Sequence, residues 1–497
     1  MKITKDLYQG SLSLLTDFYQ LTMAYAYWKA GKGEQEAIFN LFFRKHPFQG
    51  GFTLVAGLDY VIDYLQNFKF KKQDIEYLAD MKSKEGSRVF DQGFLDYLQN
   101  LKFSCDVEAI EEGTVVFPNM PLIRVQGPLI QCQLLETPLL NLINFQTLIA
   151  TKAARVNLAA KGEPVLEFGL RRAQGIDGAL AASRASYIGG CSSTSNVMAG
   201  KLFDIPVSGT HAHSWIMSFE TELEAFEAYA DAFPDQCVFL VDTYDTINGV
   251  RNAIKVGQLL RKRGKEMMGI RIDSGDLAYF SQEARKMLDE AGFLNAKIVA
   301  SNDLDEHIIS SLKTQEAAID VWGVGTKLVT AFDQPALGAV YKLSAIKTEA
   351  GKWEPKIKLS QQSLKINIPG AHRVRRFFSK GMAVADMIYL EDQEVNPRGT
   401  VIIDPADATR RKRIMPAFYQ EEELLIPIFR KGKKVYQSPH LKQIRERAQN
   451  QLESFDSSHK RLVNPHLYPV GLEENLHHLR MDLVLKAKKF DNGEEEG

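Results

Sequence analysis

A repeated alternation of short apolar runs and helical stretches sets the tightest limit on how this chain can fold. Each run ends in small, polar or charged residues, and the next follows after roughly 25–40 residues, the length of a β/α unit. The six runs are PVLEFGLRR, IPVSGTHAH, CVFLVDTYD, MMGIRIDSGD, AKIVASNDLD and AIDVWGVGTK. Continuous apolar runs are typical of parallel strands that are covered on both faces. The pattern therefore predicts an α/β barrel or a large open parallel sheet.

Unusual polar residues stand where the predicted strands end. In sheets of this kind the carboxyl ends of the strands carry the chemistry, because loops and helix starts converge there. Six consecutive ends of this composition are difficult to explain by packing alone, so we expect a functional site along this edge. The residues are Arg171 and Arg172, His213, Asp242 and Asp245, Arg271 and Asp273, Asn302 and Asp303, and Gly325 and Thr326.

The regions on either side of this series have a different pattern. Helices and short strands punctuated by glycine and proline indicate an N-terminal α+β domain over residues 1–136. A long apolar helix from Thr137 opens the β/α series, which we expect to form a catalytic domain over residues 137–340. Strands return after Val340, and residues 400–497 form a polar C-terminal region.

The C-terminal region contains three further features. The stretch SPHLKQIRERAQNQLESF predicts a helix from Ser438, with Pro439 at its first position. The basic run RRKR at 410–413 is more typical of a solvated surface than of a partner site. The tail DNGEEEG has the composition of a disordered segment.

Composition excludes several classes of function. The 497 residues have a formal net charge of -1, which is not the balance of a nucleic-acid-binding or membrane-surface protein. The 4 cysteines, none of them in a C-x-x-C motif, fit a reducing compartment. No apolar run is long enough to span a bilayer, and the first residues lack a signal-peptide pattern. We therefore expect a cytoplasmic enzyme that acts on small molecules, with no nucleic-acid or membrane partner.

The stretch GTHAHSW places His211 and His213 after an apolar run, at a predicted helix start. A helix N-terminus offers unpaired N–H groups to an anion and disfavours a protonated imidazole, so a neutral histidine there suits attack on a phosphate. The alternatives are an acid–base role, a core histidine or a His-x-His metal pair. A metal pair is disfavoured, because the turn into a helix splays the rings and the sequence offers no obvious further ligands.

Several of the other strand ends suit anionic substrates. The adjacent arginines of EFGLRRAQGIDG can grip a phosphate or carboxylate through paired N–H groups, with a surface ion pair as the alternative. In RIDSGD, Arg271 can hold an anion, and a carboxylate can hold ribose hydroxyls or Mg²⁺. Asp245 and Asp276 also suit helix capping. The string GVGTK offers backbone N–H groups and the Thr326 hydroxyl to a phosphate.

Together these strings resemble the nicotinate phosphoribosyltransferase family, in the form shared by Gram-positive bacteria and animals. The resemblance rests on LLTDFYQLTMAYAYW, LFFRKHPFQGGF, FGLRRAQG, GGCSSTSNVMAG, GTHAHS, LVDTYDT, RIDSGDL, SNDLDE, GVGTKLVTAFDQPALG and VYKL. It implies the irregular α/β barrel of the type II phosphoribosyltransferases, with a C-terminal extension. It also implies that a later segment, at about residues 340–400, completes the N-terminal α+β domain.

The resemblance also implies a reaction. Nicotinate and 5-phosphoribosyl 1-diphosphate would give nicotinate mononucleotide and pyrophosphate, with coupled hydrolysis of ATP and with Mg²⁺ as the metal. The residue phosphorylated by ATP would be His213, whereas His211 occupies a variable position. The enzyme would be a homodimer with an active site shared across the interface.

Individual roles carry over from the family by position. Tyr19 of the partner subunit and Phe168 would cover the two faces of the pyridine ring, although the sequence alone does not single out Tyr19. Thr210 and Arg271 would lie near the base. The remaining matches are Arg171 near the diphosphate, Gly325 and Thr326 near the 5-phosphate, and Asp242 and Asp273 at site positions of less defined role.

Ser195 bears on substrate choice. Nicotinamide-using relatives have an acidic residue at this position of the string SSTSN, and a carboxylate there would repel nicotinate. The serine therefore favours nicotinate, with nicotinamide or quinolinate phosphoribosyl transfer as the alternative. An isomerase or lyase would require an acid–base pair of lysine or carboxylate groups at the strand ends. A catalytically silent binding protein would not require His213 or an intact RIDSGD.

Overall fold

The computed structural model describes residues 12–360, 366–396 and 398–491. The expectations for the extreme N-terminus and for the tail from residue 492 fall outside these residues. The described chain divides into two compact units, of which the second contains Leu148–Pro335 and Leu441–Gln449 and the first contains the rest.

Helices occur in both units, and the N-terminal caps that start several of them are aspartate side chains. Asp245, Asp276 and Asp305 each accept hydrogen bonds from backbone N–H groups of the first turn, which satisfies donors that have no partner within the helix. The α-helices, in chain order, are α1 Phe18–Lys29, α2 Leu58–Gln66, α3 Lys72–Ala79, α4 Gln92–Asn100, α5 Leu129–Leu134, α6 Glu136–Ala160, α7 Ile176–Ile188, α8 Val197–Phe203, α9 His213–Met217, α10 Glu222–Ala232, α11 Thr246–Lys262, α12 Leu277–Glu290, α13 Glu306–Thr314, α14 Thr326–Val329, α15 Leu441–Glu453 and α16 Glu474–Asp491.

The strands are short, and most are rich in aliphatic residues. They are β1 Glu36–Phe42, β2 Thr53–Leu54, β3 Asp106–Ile110, β4 Val115–Val116, β5 Ile123–Pro128, β6 Val165–Glu167, β7 Ser193–Thr194, β8 Val238–Leu240, β9 Gly269–Ile272, β10 Lys297–Ala300, β11 Val321–Val324, β12 Val340–Lys347, β13 Trp353–Pro355, β14 His372–Ser379, β15 Met382–Leu390, β16 Thr400–Ile403, β17 Arg411–Ile414, β18 Gln420–Glu423, β19 Leu425–Arg430, β20 Lys433–Lys434 and β21 Val470–Glu473.

The second unit is built on a six-stranded parallel sheet in the order β7-β6-β11-β10-β9-β8. Its central strands contribute fully buried residues such as Ile270, Ile298 and Trp322, which explains why they read as continuous apolar runs. The predicted α/β class with a parallel sheet is confirmed. Within the described residues, β7 and β8 are the ends of the sheet order, so the barrel is not closed by strand pairing there.

One of the six predicted strands is wrong. The run that begins at Ile205 forms only an isolated parallel bridge, between Val207 and Thr194, and so lies beside the edge strand β7 without extending the sheet as a strand. Pro206 has no N–H to contribute to a ladder, and Val207 is 50% exposed rather than buried. The run therefore has the composition of a strand without the burial that would stabilise one.

The first unit contains two larger sheets, in the orders β13-β12-β1-β5-β3-β19-β20 and β17-β16-β21-β15-β14-β18. Strand β12 pairs antiparallel with β1, and β19 pairs antiparallel with β3. Strands β16–β21, from the predicted C-terminal region 400–497, are built into these two sheets, whereas Leu441–Gln449 of the same region belongs to the second unit.

A helix predicted from Ser438 begins later than expected. The observed helix α15 starts at Leu441, so Pro439 precedes the helix and does not occupy its first position. None of the helices in the ranges described above is both long enough and apolar enough to cross a bilayer.

Candidate active site

Residues from neighbouring strand ends meet along one edge of the parallel sheet. Because the strands are parallel and in register, Phe168 after β6, Gly325 after β11, Ser301 after β10, Asp273 after β9 and Asp242 after β8 follow one another along that edge. The predicted accumulation of polar residues at the carboxyl ends is therefore present in the structure as a continuous row.

Arg271 is the most connected side chain in the row. Its Nε donates to Ser301 Oγ at 2.8 Å, its Nη1 donates to Thr210 Oγ1 at 3.0 Å, and its Nη2 donates to Asp273 Oδ1 at 3.0 Å. The side chain is 13% exposed. A guanidinium held by three partners is fixed in direction before any ligand arrives, which is the preorganisation that anion recognition requires.

Two carboxylates belong to the network of this arginine: Asp273 follows the same strand β9 and pairs with it, and Asp242 after the neighbouring strand β8 holds the turn at Asp273. Burial opposes ionisation of Asp273, but the hydrogen bond from Ser301 and the guanidinium of Arg271 outweigh it and lower the pKa of this carboxyl. Asp242 Oδ2 accepts from the Asp273 backbone N–H at 2.8 Å and from Ser274 Oγ at 2.7 Å. Asp242 Oδ1 is buried and has no hydrogen-bond partner in the described part of the chain.

The two histidines of GTHAHSW lie in different environments. His213 is the first residue of helix α9, and its side chain is 41% exposed. Its Nδ1 lies 3.1 Å from Thr243 Oγ1, and its Nε2 lies 3.7 Å from Asp273 Oδ2. One ring nitrogen therefore contacts the end of β8, and the other faces the carboxylate that is paired with Arg271.

His211 is a core residue. Its Nε2 accepts a hydrogen bond from the Leu240 backbone N–H at 3.3 Å, and its ring packs edge-on against Tyr229 with centroids 4.8 Å apart. Burial lowers the pKa of His211 to about 4, so the ring is neutral at physiological pH. Across the described ranges, no group of three or more His, Cys, Asp or Glu side chains is placed to hold a metal ion.

Phe168 joins the arginine network to the next strand end. The Arg271 Cζ lies 5.8 Å from the centroid of the Phe168 ring, within the range of a cation–π contact. A Cβ on Gly323 would lie 2.8 Å from that ring, so glycine in β11 is what lets the phenyl group lie against the sheet. The Ser195 backbone N–H donates to the Glu167 carbonyl at 2.9 Å, which places Ser195 beside the same strand end.

On the side of the site formed by β6 and β11, few side chains have hydrogen-bond or ion-pair partners within the described chain. Arg171 and Arg172 are exposed in a short 3₁₀ turn, and neither forms an ion pair within the residues that the structure describes. Gly325 occupies the N-cap position of α14, and Thr326 is its first residue. A Cβ on Gly169 would overlap Val329, which brings the arginine turn directly against α14.

The remaining predicted residues have other positions. Asn302 and Asp303 are exposed beyond β10, whereas Asp245 and Asp276 cap helices, as the alternative interpretation held. Tyr19 belongs to the first unit, where it is 48% exposed on α1.

Three residues of the site were missed by the sequence interpretation. Ser301 and Thr243 follow strands β10 and β8, so strict attention to the first residues after each strand would have found them. Glu167 is a buried carboxylate that accepts from Gly169 N, from Ser183 Oγ at 2.8 Å and from Thr194 Oγ1 at 2.5 Å. It ties β6 to α7 and β7, and no local sequence signal distinguishes it from a surface glutamate.

Comparisons with known proteins identify the family. The model described as the nicotinate phosphoribosyltransferase (NAPRTase) family matches residues 165–379, and the models for its N-terminal and C-terminal domains match residues 14–144 and 371–480. Nicotinate phosphoribosyltransferase from Bacillus subtilis is 47% identical over 481 residues, with 96% of each chain covered. The human protein of that name is 37% identical, with 93% of this chain and 95% of its own length covered.

A solved structure agrees with these sequence matches. The crystal structure of human nicotinic acid phosphoribosyltransferase matches with a TM-score of 0.82 at 35% identity, covering 94% of this chain and 99% of that one. A nicotinate-nucleotide pyrophosphorylase from Pyrococcus furiosus shares the fold at 20% identity, with a TM-score of 0.68. The sequence relatives match over nearly the full length of this chain, and the solved human structure has the same architecture. This chain therefore belongs to the nicotinate phosphoribosyltransferase family.

Proposed function

We propose that this chain transfers the phosphoribosyl group of 5-phosphoribosyl 1-diphosphate to nicotinate. The pyridine nitrogen forms a bond to the anomeric carbon as the bond to the diphosphate oxygen breaks, which gives nicotinate mononucleotide and pyrophosphate. The nitrogen is already nucleophilic, so no general base is required. The protein's contribution is to orient the reactants and to stabilise charge as it develops.

The observation that carries the proposal is the fixed guanidinium of Arg271 beside the ring of Phe168. A carboxylate on a planar ring matches this pair, because the cation can bind the acid while the phenyl group covers one face of the ring. The Thr210 hydroxyl, which already contacts Arg271 at 3.0 Å, supplies a further polar group near the base.

The diphosphate and the 5-phosphate would occupy the less paired side of the site. Arg171 would stabilise negative charge on the departing diphosphate, and the start of α14 at Gly325 and Thr326 would hold the 5-phosphate. Magnesium usually binds through one or two protein carboxylates together with substrate phosphates. The buried, unpartnered Oδ1 of Asp242 suits such an ion, which would neutralise phosphate charge at the β8 end of the site.

We assign the reaction with ATP to His213. Its imidazole would accept the γ-phosphoryl group of ATP, with an N–P bond forming as the P–O bond to ADP breaks, and water would later cleave the N–P bond to release inorganic phosphate. The contacts with Thr243 and Asp273 would orient the ring for this step. Asp273 would therefore link the ATP-dependent step to the arginine that binds the base.

Assembly and location complete the proposal. A homodimer would bring Tyr19 of the partner subunit to the open face of the pyridine ring. The 48% exposure of Tyr19 on α1 fits a side chain that is covered by a neighbour. A cytoplasmic location fits the cysteine content, since all four thiols are buried and unpaired by disulfides.

A side-by-side assay of nicotinate, nicotinamide and quinolinate tests the proposal. Each would be supplied with 5-phosphoribosyl 1-diphosphate and Mg²⁺, with and without ATP, and mononucleotide and ADP would be quantified. We expect turnover of nicotinate, stimulated by ATP, and little turnover of the other two. Equal or faster use of nicotinamide, or carbon dioxide release from quinolinate, would contradict the assignment.

The variant Ser195→Asp tests substrate choice. A carboxylate here would repel that of nicotinate, and at roughly 6 Å this costs enough to lower kcat/KM about 100-fold. The value for nicotinamide would change little. Ser310→Asp, on the exposed face of α13, serves as the matched control. Equal losses for both substrates would show that Ser195 does not discriminate between them.

A further inference from the structure

The buried carboxylate of Glu167, the last residue of β6, has no role in the proposed reaction. This residue is 1% exposed, and burying an ionisable side chain is costly unless hydrogen bonds satisfy it. Three donors do so, and each comes from a different part of the second unit: the Gly169 N–H after β6, the Ser183 hydroxyl on α7 and the Thr194 hydroxyl on β7. A single side chain therefore holds three elements in one arrangement.

One carboxylate oxygen fixes the turn that carries Phe168. Glu167 Oε1 accepts from the Gly169 N–H, and the Phe168 N–H donates to the Val324 carbonyl at 2.8 Å. The backbone of Phe168 is therefore held on one side by the neighbouring strand β11 and on the other by the carboxylate. Because the backbone limits the directions that a side chain can take, Oε1 directs the ring that we assign to one face of nicotinate.

The other carboxylate oxygen fixes the strand end that carries Ser195. Glu167 Oε2 accepts from Thr194 Oγ1 at 2.5 Å, and the same hydroxyl oxygen accepts from the Asn196 backbone N–H at 3.0 Å. Ser195 lies between these two residues, and its own N–H donates to the Glu167 carbonyl at 2.9 Å. The backbone on both sides of Ser195 is therefore linked to the Glu167 side chain.

These contacts close into a ring of hydrogen bonds. The Asn196 side-chain amide donates to Ser183 Oγ at 3.2 Å, and Ser183 Oγ donates to Glu167 Oε2 at 2.8 Å. The members, in order, are Glu167, Thr194, Asn196 and Ser183. Asn196 Oδ1 also accepts from the Ala199 N–H at 3.2 Å and so caps helix α8. Since every member of the ring is at most 2% exposed, water does not compete for these groups, and displacement of one member disturbs the others.

We propose that Glu167 is a positioning residue for the pyridine substrate, acting through Phe168 on one side and Ser195 on the other. The inference rests on the proposed function, in which those two residues contact or select nicotinate. Glu167 acts as a hydrogen-bond acceptor and not as a countercharge, because all three of its donors are uncharged. Groups that contact a substrate keep their geometry only when packed, hydrogen-bonded residues behind them hold it. Loosening the link to Ser195 should therefore affect the choice and binding of the base and not the binding of the phosphates.

The variant Thr194→Val tests the proposal, because it removes the hydroxyl that links Glu167 to Ser195 and keeps the shape of the side chain. Steady-state kinetics would be measured for nicotinate, nicotinamide and 5-phosphoribosyl 1-diphosphate. We expect the ratio of kcat/KM for nicotinate to that for nicotinamide to fall about 5-fold or more, with the KM for 5-phosphoribosyl 1-diphosphate within about 2-fold of the parent. Ser186→Ala is the matched control, since this buried α7 hydroxyl has no hydrogen-bond partner in the part of the chain that the structure describes. Its selectivity should equal that of the parent.

Conservative variants separate positioning from a role of the charge. In Glu167→Gln the amide oxygen can accept from the Gly169 N–H, and the amide N–H groups can donate to the two hydroxyls, which rotate to accept. Glu167→Gln and Thr194→Ser should therefore keep the selectivity and kcat/KM within about 3-fold of the parent, whereas Glu167→Ala should lose about 30-fold in kcat/KM for nicotinate. Thermal unfolding of each variant identifies those that fold, and Thr194→Val decides the test if Glu167→Ala does not.

The activity of the parent separates two kinds of failure. If the parent does not turn over nicotinate, the proposed function is wrong and this assignment is wrong with it. If the parent is active, three results would overturn the positioning role alone. These are an unchanged selectivity in folded Thr194→Val, an equal change of selectivity in Ser186→Ala, and loss of activity in folded Glu167→Gln.

Discussion

The two sides of the candidate active site are built in opposite ways. On the paired side, Arg271, Asp273 and His213 contact one another or share partners, and each polar group is directed by the protein. On the open side, Arg171, Arg172 and the start of α14 have few partners within the described chain. The first arrangement orients a small aromatic acid and a reactive imidazole, and the second leaves cations and N–H groups available to phosphates.

This difference predicts how substitutions will act. Removing a member of the paired side leaves a partly buried partner uncompensated, so both the geometry and the electrostatics of the site suffer. Removing a member of the open side deletes one contact to substrate and leaves the fold unchanged.

Arg271→Ala should have the largest effect. The variant loses the guanidinium that binds the base and leaves Asp273 without its ion-pair partner. We expect kcat/KM for nicotinate to fall at least about 1,000-fold, which corresponds to about 4 kcal/mol. Arg251→Ala, which removes an exposed arginine from α11, is the control and should stay within about 2-fold of the parent. If kcat/KM for nicotinate fell less than 10-fold in Arg271→Ala, the paired side would not be essential for the reaction.

Arg171→Gln should have an intermediate effect. Loss of one charge-assisted contact to the diphosphate, worth about 2 kcal/mol, predicts a KM for 5-phosphoribosyl 1-diphosphate about 30-fold higher. Thermal stability should be unchanged because the side chain is exposed. Arg172→Gln is the neighbouring control, with an expected change below 3-fold. If the two variants gave equal effects, the assignment of the diphosphate contact to Arg171 would fail.

The sequence allowed the strand-end row to be predicted because buried parallel strands leave a direct signature. Strands β6 and β8–β11 are continuous apolar runs, and their polar termini identified Arg271, Asp273 and Asp242 before the structure was known. The run at Ile205 failed because the exposure of Val207 cannot be read from the sequence, although Pro206 is a local signal against a central strand.

Long-range pairings could not be predicted in the same way. The pairing of β19 with β3 joins segments about 300 residues apart, and antiparallel partners at that separation carry no local signature. The contribution of Glu167 depends on three donors from separate elements, and it appears only when the chain is folded. The roles of Tyr19 and Ser195 came from the family resemblance alone.

His211→Gln should have the smallest effect on activity, with kcat changed less than about 2-fold. The pKa of His211 is about 4 in the folded protein and about 6.5 in the unfolded chain. The unfolded chain therefore binds a proton more readily, and the free energy of unfolding is highest above pH 6.5 and decreases as the pH falls towards 4. Glutamine does not titrate, so the decrease in the free energy of unfolding between pH 7 and pH 5 should be smaller by about 2 kcal/mol in this variant. Urea unfolding at the two pH values measures this change, with the exposed His307→Gln as control. An unchanged pH dependence would show that His211 is not held neutral.

Because the side chain of His213 is 41% exposed and His211 is buried, the residue that ATP phosphorylates can be identified by direct labelling. The protein would be incubated with ATP labelled in the γ-phosphate, digested under conditions that preserve phosphohistidine, and sequenced by mass spectrometry. The account predicts label on His213, present in His211→Gln and absent from His213→Ala, with weak phosphoribosyl transfer retained when His213 is removed. Label on His211, or ATP hydrolysis that still keeps step with product formation in His213→Ala, would contradict it.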